Sequence, residues 1–131
     1  MNPLPKLTFA ELIKLAHQSQ QVLTECSCAK RLFPCWESIP LSFPEEQLQE
    51  VGTLIEDPFE EATFKEFHPA GSRYDSPDAP IAPRYFPYNR CTVSTCLKCG
   101  RHFLRYTEAG GYFVDRRIRS LISALIVDAA I

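Results

Sequence analysis

Two cysteines separated by two residues, with a glycine directly behind them, constrain this chain more than any other stretch: Cys96-Leu97-Lys98-Cys99-Gly100. A tight C-x-x-C turn aims two thiolates at one point, and Gly100 can take the positive φ that such a turn often needs. An alternating segment follows from Arg101 to Thr107, then Glu108-Ala109-Gly110-Gly111 as a turn and Tyr112 to Ile118 as a second strand. The pattern is that of a zinc knuckle leading into a β-hairpin. Gly110-Gly111 is explained by the hairpin turn rather than by a phosphate-cradling loop. Neither strand divides into a dry and a wet side, which suits a hairpin covered on one face while the other shows arginines.

A structural zinc site is closed by four thiolate or imidazole ligands, normally two pairs from separate parts of the chain. Besides Cys96 and Cys99, the chain offers Cys26, Cys28, Cys35 and Cys91, with His102 and His68 as further nitrogen donors. Cys26 and Cys28 are the expected second pair, because they lie at the end of a predicted helix and would tie it to the hairpin. Cys35 or Cys91 could replace one of them. The expected set is therefore Cys26, Cys28, Cys96 and Cys99 around a structural Zn²⁺. Four protein thiolates leave no position for water, so binding energy becomes folding energy.

The remaining elements are read from periodicity and punctuation. Thr8-Phe9-Ala10-Glu11 fits a capping box ahead of Phe9, Leu12, Ile13, Ala16 and Val22/Leu23, which predicts an amphipathic helix over residues 8–24 with Lys14, Gln18 and Gln21 outward. Ser42-Phe43-Pro44-Glu45 is a second capping-box pattern and predicts a short helix stopping near Val51 and Gly52. Short strands are expected at Thr53 to Glu56 and Ala62 to Phe67 around the acidic turn Glu56-Asp57-Pro58. Residues 68–90 hold five prolines among Tyr74, Tyr85, Phe86 and Tyr88, a density that forbids a helix and predicts an extended strap packed across the body. The tail from Ser120 fits either a helix or a short strand at Leu125 to Val127. Together these give an α+β fold, an N-terminal helix and short antiparallel sheet joined to a zinc-knuckle hairpin at 91–119, in one domain spanning 1–131.

Several function classes lose ground on the sequence alone. No P-loop, G-x-G-x-x-G, G-x-S-x-G or H-E-x-x-H occurs, and no histidine and asparagine constellation accompanies a cysteine nucleophile, so the chain reads as no enzyme. No apolar run can span a bilayer. The first residues lack a secretory pattern, which points to the cytoplasm, where thiols stay reduced and six cysteines favour metal over disulfides.

Charge is divided along the chain: residues 1–83 carry six Lys/Arg against thirteen Asp/Glu, residues 84–131 eight against three. The halves are expected to fold against each other and partly neutralise. Arg101, Arg105, Arg116, Arg117 and Arg119, interleaved with Phe103, Tyr106, Tyr112 and Phe113, also offer the mixture that grips phosphates and stacks bases. Nucleic acid is thus an alternative partner, and pairing of these arginines with Glu45, Glu46, Glu60, Glu61 or Glu66 the competing reading.

At Tyr88-Asn89-Arg90-Cys91, Cys96 to Gly100 and Phe103 to Tyr112 the chain resembles small standalone bacterial zinc-knuckle proteins, some of which are similar to immunity partners of polymorphic or contact-dependent toxins. That resemblance covers mainly the last third and carries over only the cysteine pair Cys96 and Cys99. It implies a cytoplasmic, non-catalytic protein that binds one toxin domain and blocks its active site, and the acidic segment Glu56 to Glu66 could mimic phosphate in a basic nuclease cleft.

Overall fold

The structure, a computed structural model, describes residues 4–30, 33–57, 59–109 and 114–130. One helix, α1 (Phe9–Gln20), precedes five strands, β1 (Glu37–Ser38), β2 (Leu48–Thr53), β3 (Thr92–Cys96), β4 (His102–Ala109) and β5 (Val114–Ser120). The strands form one antiparallel sheet in the order β1-β5-β4-β3-β2. The architecture is α+β.

The capping box at the start of α1 is formed on both sides, Glu11 N–H donating to Thr8 Oγ1 at 3.1 Å and Thr8 N–H to Glu11 Oε1 at 3.0 Å. Leu12, Ala16 and Ser19 are its buried face, and Lys14, Gln18 and Gln21 are exposed. The helix stops at Gln20 rather than 24, and the chain beyond it is held by Arg101, which donates to Val22 O at 3.3 Å and Thr24 O at 2.9 Å. Leu23, expected on the apolar stripe, is exposed.

Cross-strand register explains why the hairpin strands show no dry side. Leu104 lies opposite Arg119 and Tyr106 opposite Arg117, whereas Arg105 lies opposite Ile118 and Phe103 opposite Ser120. Leu104, Tyr106 and Val93 face a cluster with Leu12 and Ala16 of α1, Ile81 and Tyr88 of the strap, and Leu7, Trp36 and Leu54 from the connecting segments. Phe103, Ile118 and Cys96 face a second cluster with Cys28 and Phe33, against which Ile39, Phe43 and Leu48 also pack. Phe103, Leu104, Tyr106 and Ile118 are thus buried on both parities, while farther along the hairpin the second face opens into a groove and shows Arg116, as expected of an arginine-bearing side. The segment around β1 runs along the outer edge of β5, with Ser120 N–H bonded to Phe33 O and Ile39 N–H to Arg116 O, and sends Phe33 to one face and Trp36 to the other.

Three expectations are corrected. The short helix after Pro44 is a single 3₁₀ turn, Glu45–Gln47, since Leu48 to Thr53 find ladder partners on β3 and continue as a strand. Thr53 closes that strand rather than opening one. Residues 62–67 form no ladder: the carbonyls of Ala62 and Thr63 accept from Arg90, and Lys65 O accepts the Phe86 N–H. The outer edge of β2 is already taken at Thr53 by residues 5–7. Pro58 of the expected acidic turn, Gly110 and Gly111 of the hairpin turn, and Tyr112 and Phe113 lie outside the described residues; Ala109 pairs with Val114 on either side of that gap. At the tail a 3₁₀ turn, Ser123–Leu125, leads into a single bridge between Ile126 and Ile81.

The strap across residues 68–90 buries Ala79, Ile81, Ala82, Tyr85 and Tyr88. Arg119, fully buried on β5, anchors it by donating to Tyr88 Oη and to the carbonyls of Ala79 at 3.0 Å and Pro77 at 3.3 Å. Burial pushes the Tyr88 phenol up to about 12, so it stays neutral beside this guanidinium. Replacing Arg119 by Ala strands these acceptors in the core and leaves a void; the expected loss is about 3 kcal/mol, measured by urea unfolding.

Candidate metal centre

Cys96 closes β3, and the C-x-x-C turn is itself the connection to β4. Cys96 N–H donates to Arg101 O and Gly100 N–H to Cys96 O, both at 2.8 Å, and Gly100 has φ +88, the left-handed value its lack of a Cβ permits. The other pair sits after α1, where Cys26 is extended and Ser27–Ala29 forms a 3₁₀ turn closed by Ala29 N–H on Cys26 O at 2.9 Å. That turn aims the Cys26 and Cys28 sulfurs the same way.

The four Sγ atoms lie within 4.8 Å of one another, with Cys26 to Cys96 at 3.7 Å and Cys28 to Cys99 at 3.4 Å. A divalent ion held by four thiolates at about 2.3 Å sets its ligand atoms about 3.8 Å apart, so the spacing fits a tetrahedral site. Bonded sulfurs would stand about 2.0 Å apart, and all six cysteines are free thiols. Cys28 and Cys96 are buried, Cys26 and Cys99 half-buried, which shields the centre without sealing it.

Backbone amides prepare the sulfurs for negative charge. The Cys28 N–H holds the Cys26 thiol down to about 7, while burial pushes Cys28 and Cys96 up, although the Cys99 and Lys98 N–H groups point at the Cys96 sulfur. Burial works against the charge of Arg101, yet the neighbouring Cys99 and Cys28 sulfurs raise its pKa above the usual value. Gln47, on the turn before β2, accepts the Leu97 N–H on its backbone carbonyl at 2.7 Å and brings its side-chain amide to the Cys26 and Cys96 sulfurs.

The structure thus brings Cys26, Cys28, Cys96 and Cys99 together and leaves the other candidates apart. Cys91 is fully buried on the opposite side of the sheet, its thiol on Pro87 O at 3.3 Å, and Cys35 is outside the cluster. His102 points toward α1, Nδ1 to Thr95 Oγ1 at 2.7 Å and Nε2 to Gln18 Oε1 at 3.4 Å, because strand alternation puts it on the face away from the sulfurs. His68 is held by Ser72 and Glu66. Sequence reasoning missed Gln47 and Arg101 as neighbours of the centre; a lone polar residue far from the cysteine motifs carries no spacing signal.

One divalent ion per chain is expected by elemental analysis, retained in Cys35→Ser and lost in Cys28→Ser or Cys96→Ser. Since burial keeps Cys28 and Cys96 protonated at neutral pH, loading at pH 7 should release roughly two or more protons per ion. Calorimetry in buffers of different ionisation enthalpy reads that number, and affinity should fall as pH falls. The chain matches no family model, no curated protein and no solved structure.

Proposed function

We propose that this is a non-catalytic, zinc-stabilised binding protein of the cytoplasm whose partner is a protein with a basic surface, in the manner of an immunity protein that occludes a toxin active site. The observation that carries this reading is the segment from Glu56 to Glu66. Phe59 is 95% exposed, and Asp57, Glu60 and Glu61 surround it in sequence, all exposed. Among the described residues no ion pair engages Glu60 or Glu61. An exposed aromatic amid carboxylates is the composition of an anchor for a basic cleft, the aromatic supplying burial and the carboxylates steering.

The C-terminal part of that segment, Ala62 to Phe64, is mounted on the strap. Arg90 donates to Ala62 O at 2.6 Å and Thr63 O at 3.0 Å, and its guanidinium lies 4.0 Å from the Phe64 ring centre. Asn89 adds a bond to Thr63 O at 2.9 Å. A preorganised contact segment loses less entropy on association. Zinc is the ion favoured by an all-thiolate tetrahedral set, and closure of that set by four side chains supports a structural rather than catalytic role.

The alternative, a nucleic-acid module, has one observation in its favour: Arg90, Arg105 and Arg116 line a groove of about 400 Å³ together with Glu50, Thr92 and Thr107. Against it, the hairpin arginines are already engaged. Arg105 donates to Ser94 Oγ at 2.8 Å and to Glu45 at 3.4 Å, Arg116 clamps Glu45 with both nitrogens, and Arg117 pairs with Asp115 at 2.8 Å and Glu108 at 3.2 Å. Arg119 is buried and Arg101 caps the helix segment.

The test is co-expression with the product of the adjacent gene. The pair should co-purify, and Phe59→Ala or the double change Glu60→Lys, Glu61→Lys should weaken it about thirtyfold, the equivalent of about 2 kcal/mol. Recovery of nucleic acid alone, with salt-sensitive binding abolished by Arg116→Glu, would replace this reading with the alternative.

A further inference from the structure

We propose that Gln47 is a fifth residue of the metal centre, its side-chain amide donating N–H···S hydrogen bonds to the Cys26 and Cys96 thiolates when the ion is bound. The inference rests on the metal reading above and goes beyond it, since Gln47 belongs to neither cysteine motif.

Three features position the group. Its backbone is pinned at both ends, N–H on Pro44 O at 3.0 Å and C=O accepting Leu97 N–H at 2.7 Å, so the turn before β2 is hooked directly onto the knuckle. The side chain is buried, with one end of its amide 3.6 Å from Cys26 Sγ and 3.5 Å from Cys96 Sγ. The other end is 2.7 Å from Ser27 Oγ, inside the Cys26–Cys28 turn. One amide therefore touches both cysteine pairs.

Which end faces the sulfurs depends on what the sulfurs are. With protonated thiols, the arrangement here is satisfactory: Oε1 faces the sulfurs and can accept S–H, while Nε2 donates to Ser27 Oγ. Thiolates on a metal have no proton to give. Oε1 would then set an acceptor against two acceptors in a buried site, a costly arrangement. The two ends of a glutamine amide are nearly equal in size, and a half turn about its last side-chain bond exchanges them. Nε2 then offers its two protons to the two sulfurs. Oε1 comes to Ser27, whose hydroxyl donates as readily as it accepts, so nothing is lost at the far end.

The chemistry of the ion favours this orientation. Four thiolates around a divalent ion leave two excess negative charges, and partners that donate to coordinated ligands stabilise and orient them. Backbone N–H groups of Cys28, Lys98 and Cys99 already serve Cys26 and Cys96 from within the two motifs. Gln47 adds a donor from a third segment. The same turn carries Glu45, which clamps Arg105 and Arg116, so the metal centre and the arginine pair are braced by residues two apart.

The experiment loads the full chain with ¹¹³Cd and records ion-to-proton correlation spectra. A correlation from the ion to the Gln47 side-chain NH₂, carried through N–H···S, is the expected result, and its absence overturns the proposal. Zinc competition against a chromophoric chelator gives the second readout. Gln47→Leu should lose about tenfold to a hundredfold in affinity and Gln47→Glu more, because a carboxylate would face the thiolates. Ser27→Ala, at an exposed position that cannot compromise the core, should lose severalfold by releasing the far end of the amide. Affinities of Gln47→Leu and Ser27→Ala within twofold of the parent overturn the proposal while leaving the metal centre intact. A parent protein that takes up neither ion fails the metal reading itself, a result the same titration separates.

Discussion

The convergence of four sulfurs from across some seventy residues of chain brings the segment after α1 against the turn between β3 and β4. Cys26 and Cys96 are 70 residues apart in the chain and Cys28 and Cys99 71, yet each pair stands within 4 Å. The segment that begins at Cys26 runs on to Phe43, and besides the sulfurs it is fixed by Trp36 in the main core and by bonds from Ser120 N–H to Phe33 O and from Ile39 N–H to Arg116 O. Among the described residues its strand is two residues long, and its own buried cluster comprises Phe33, Phe103, Ile118 and two of the cysteines. Phe33, Phe43 and Phe103 make edge-to-face contacts at 5.6 to 6.4 Å, worth roughly 1 kcal/mol each beyond burial. An ion bound by the four sulfurs would add a cross-link to this patch, its binding energy contributing to folding.

The opposite side is a conventional core. There α1, the strap and the tail bury Leu12, Ile81, Leu104 and Leu121 completely or nearly so, with Trp36 packed between a tilted Tyr88 ring and Tyr106 edge-to-face. The asymmetry has a functional sense within the proposed reading. A self-sufficient core carries the acidic segment through Arg90 and Asn89, and the sulfur-held side closes the sheet against solvent.

The arginine-rich character of the last third has a structural destination. Arg119 holds strap carbonyls, Arg101 holds carbonyls beyond the helix, and Arg105 and Arg116 share Glu45. The acidic first part and basic last part of the chain therefore meet across the sheet at Glu45, while Asp57, Glu60 and Glu61 stay on the surface. Charge asymmetry along a sequence says nothing of which members pair. Here the pairing takes Arg105 and Arg119 inward and neutralises Arg116 at the surface, leaving part of the negative charge outward.

Local chemistry determined much of what was legible. Thr8 and Glu11 satisfy each other's backbone within one turn, and the C-x-x-C-G turn needs only its own five residues, so helix start, knuckle and hairpin could be read directly. The choice of Cys26 and Cys28 beside Cys96 and Cys99 was also open to reasoning, since each pair converges locally. β3 has no counterpart among the expected elements, although Thr92, Val93 and Thr95 are β-branched, because its five residues take a ladder from β2 and β4 on either side. What only the tertiary structure decided was every choice that depends on a distant partner. Leu48 to Thr53 became strand rather than helix because β3 offered its ladder; residues 62–67 formed no ladder, their carbonyls being taken by Asn89, Arg90 and Phe86; and Gln47 reached the sulfurs because Leu97 anchors its turn. Hydrogen bonds closed within a few residues are written in the chain, whereas those closed across tens of residues are settled only when the sheet assembles.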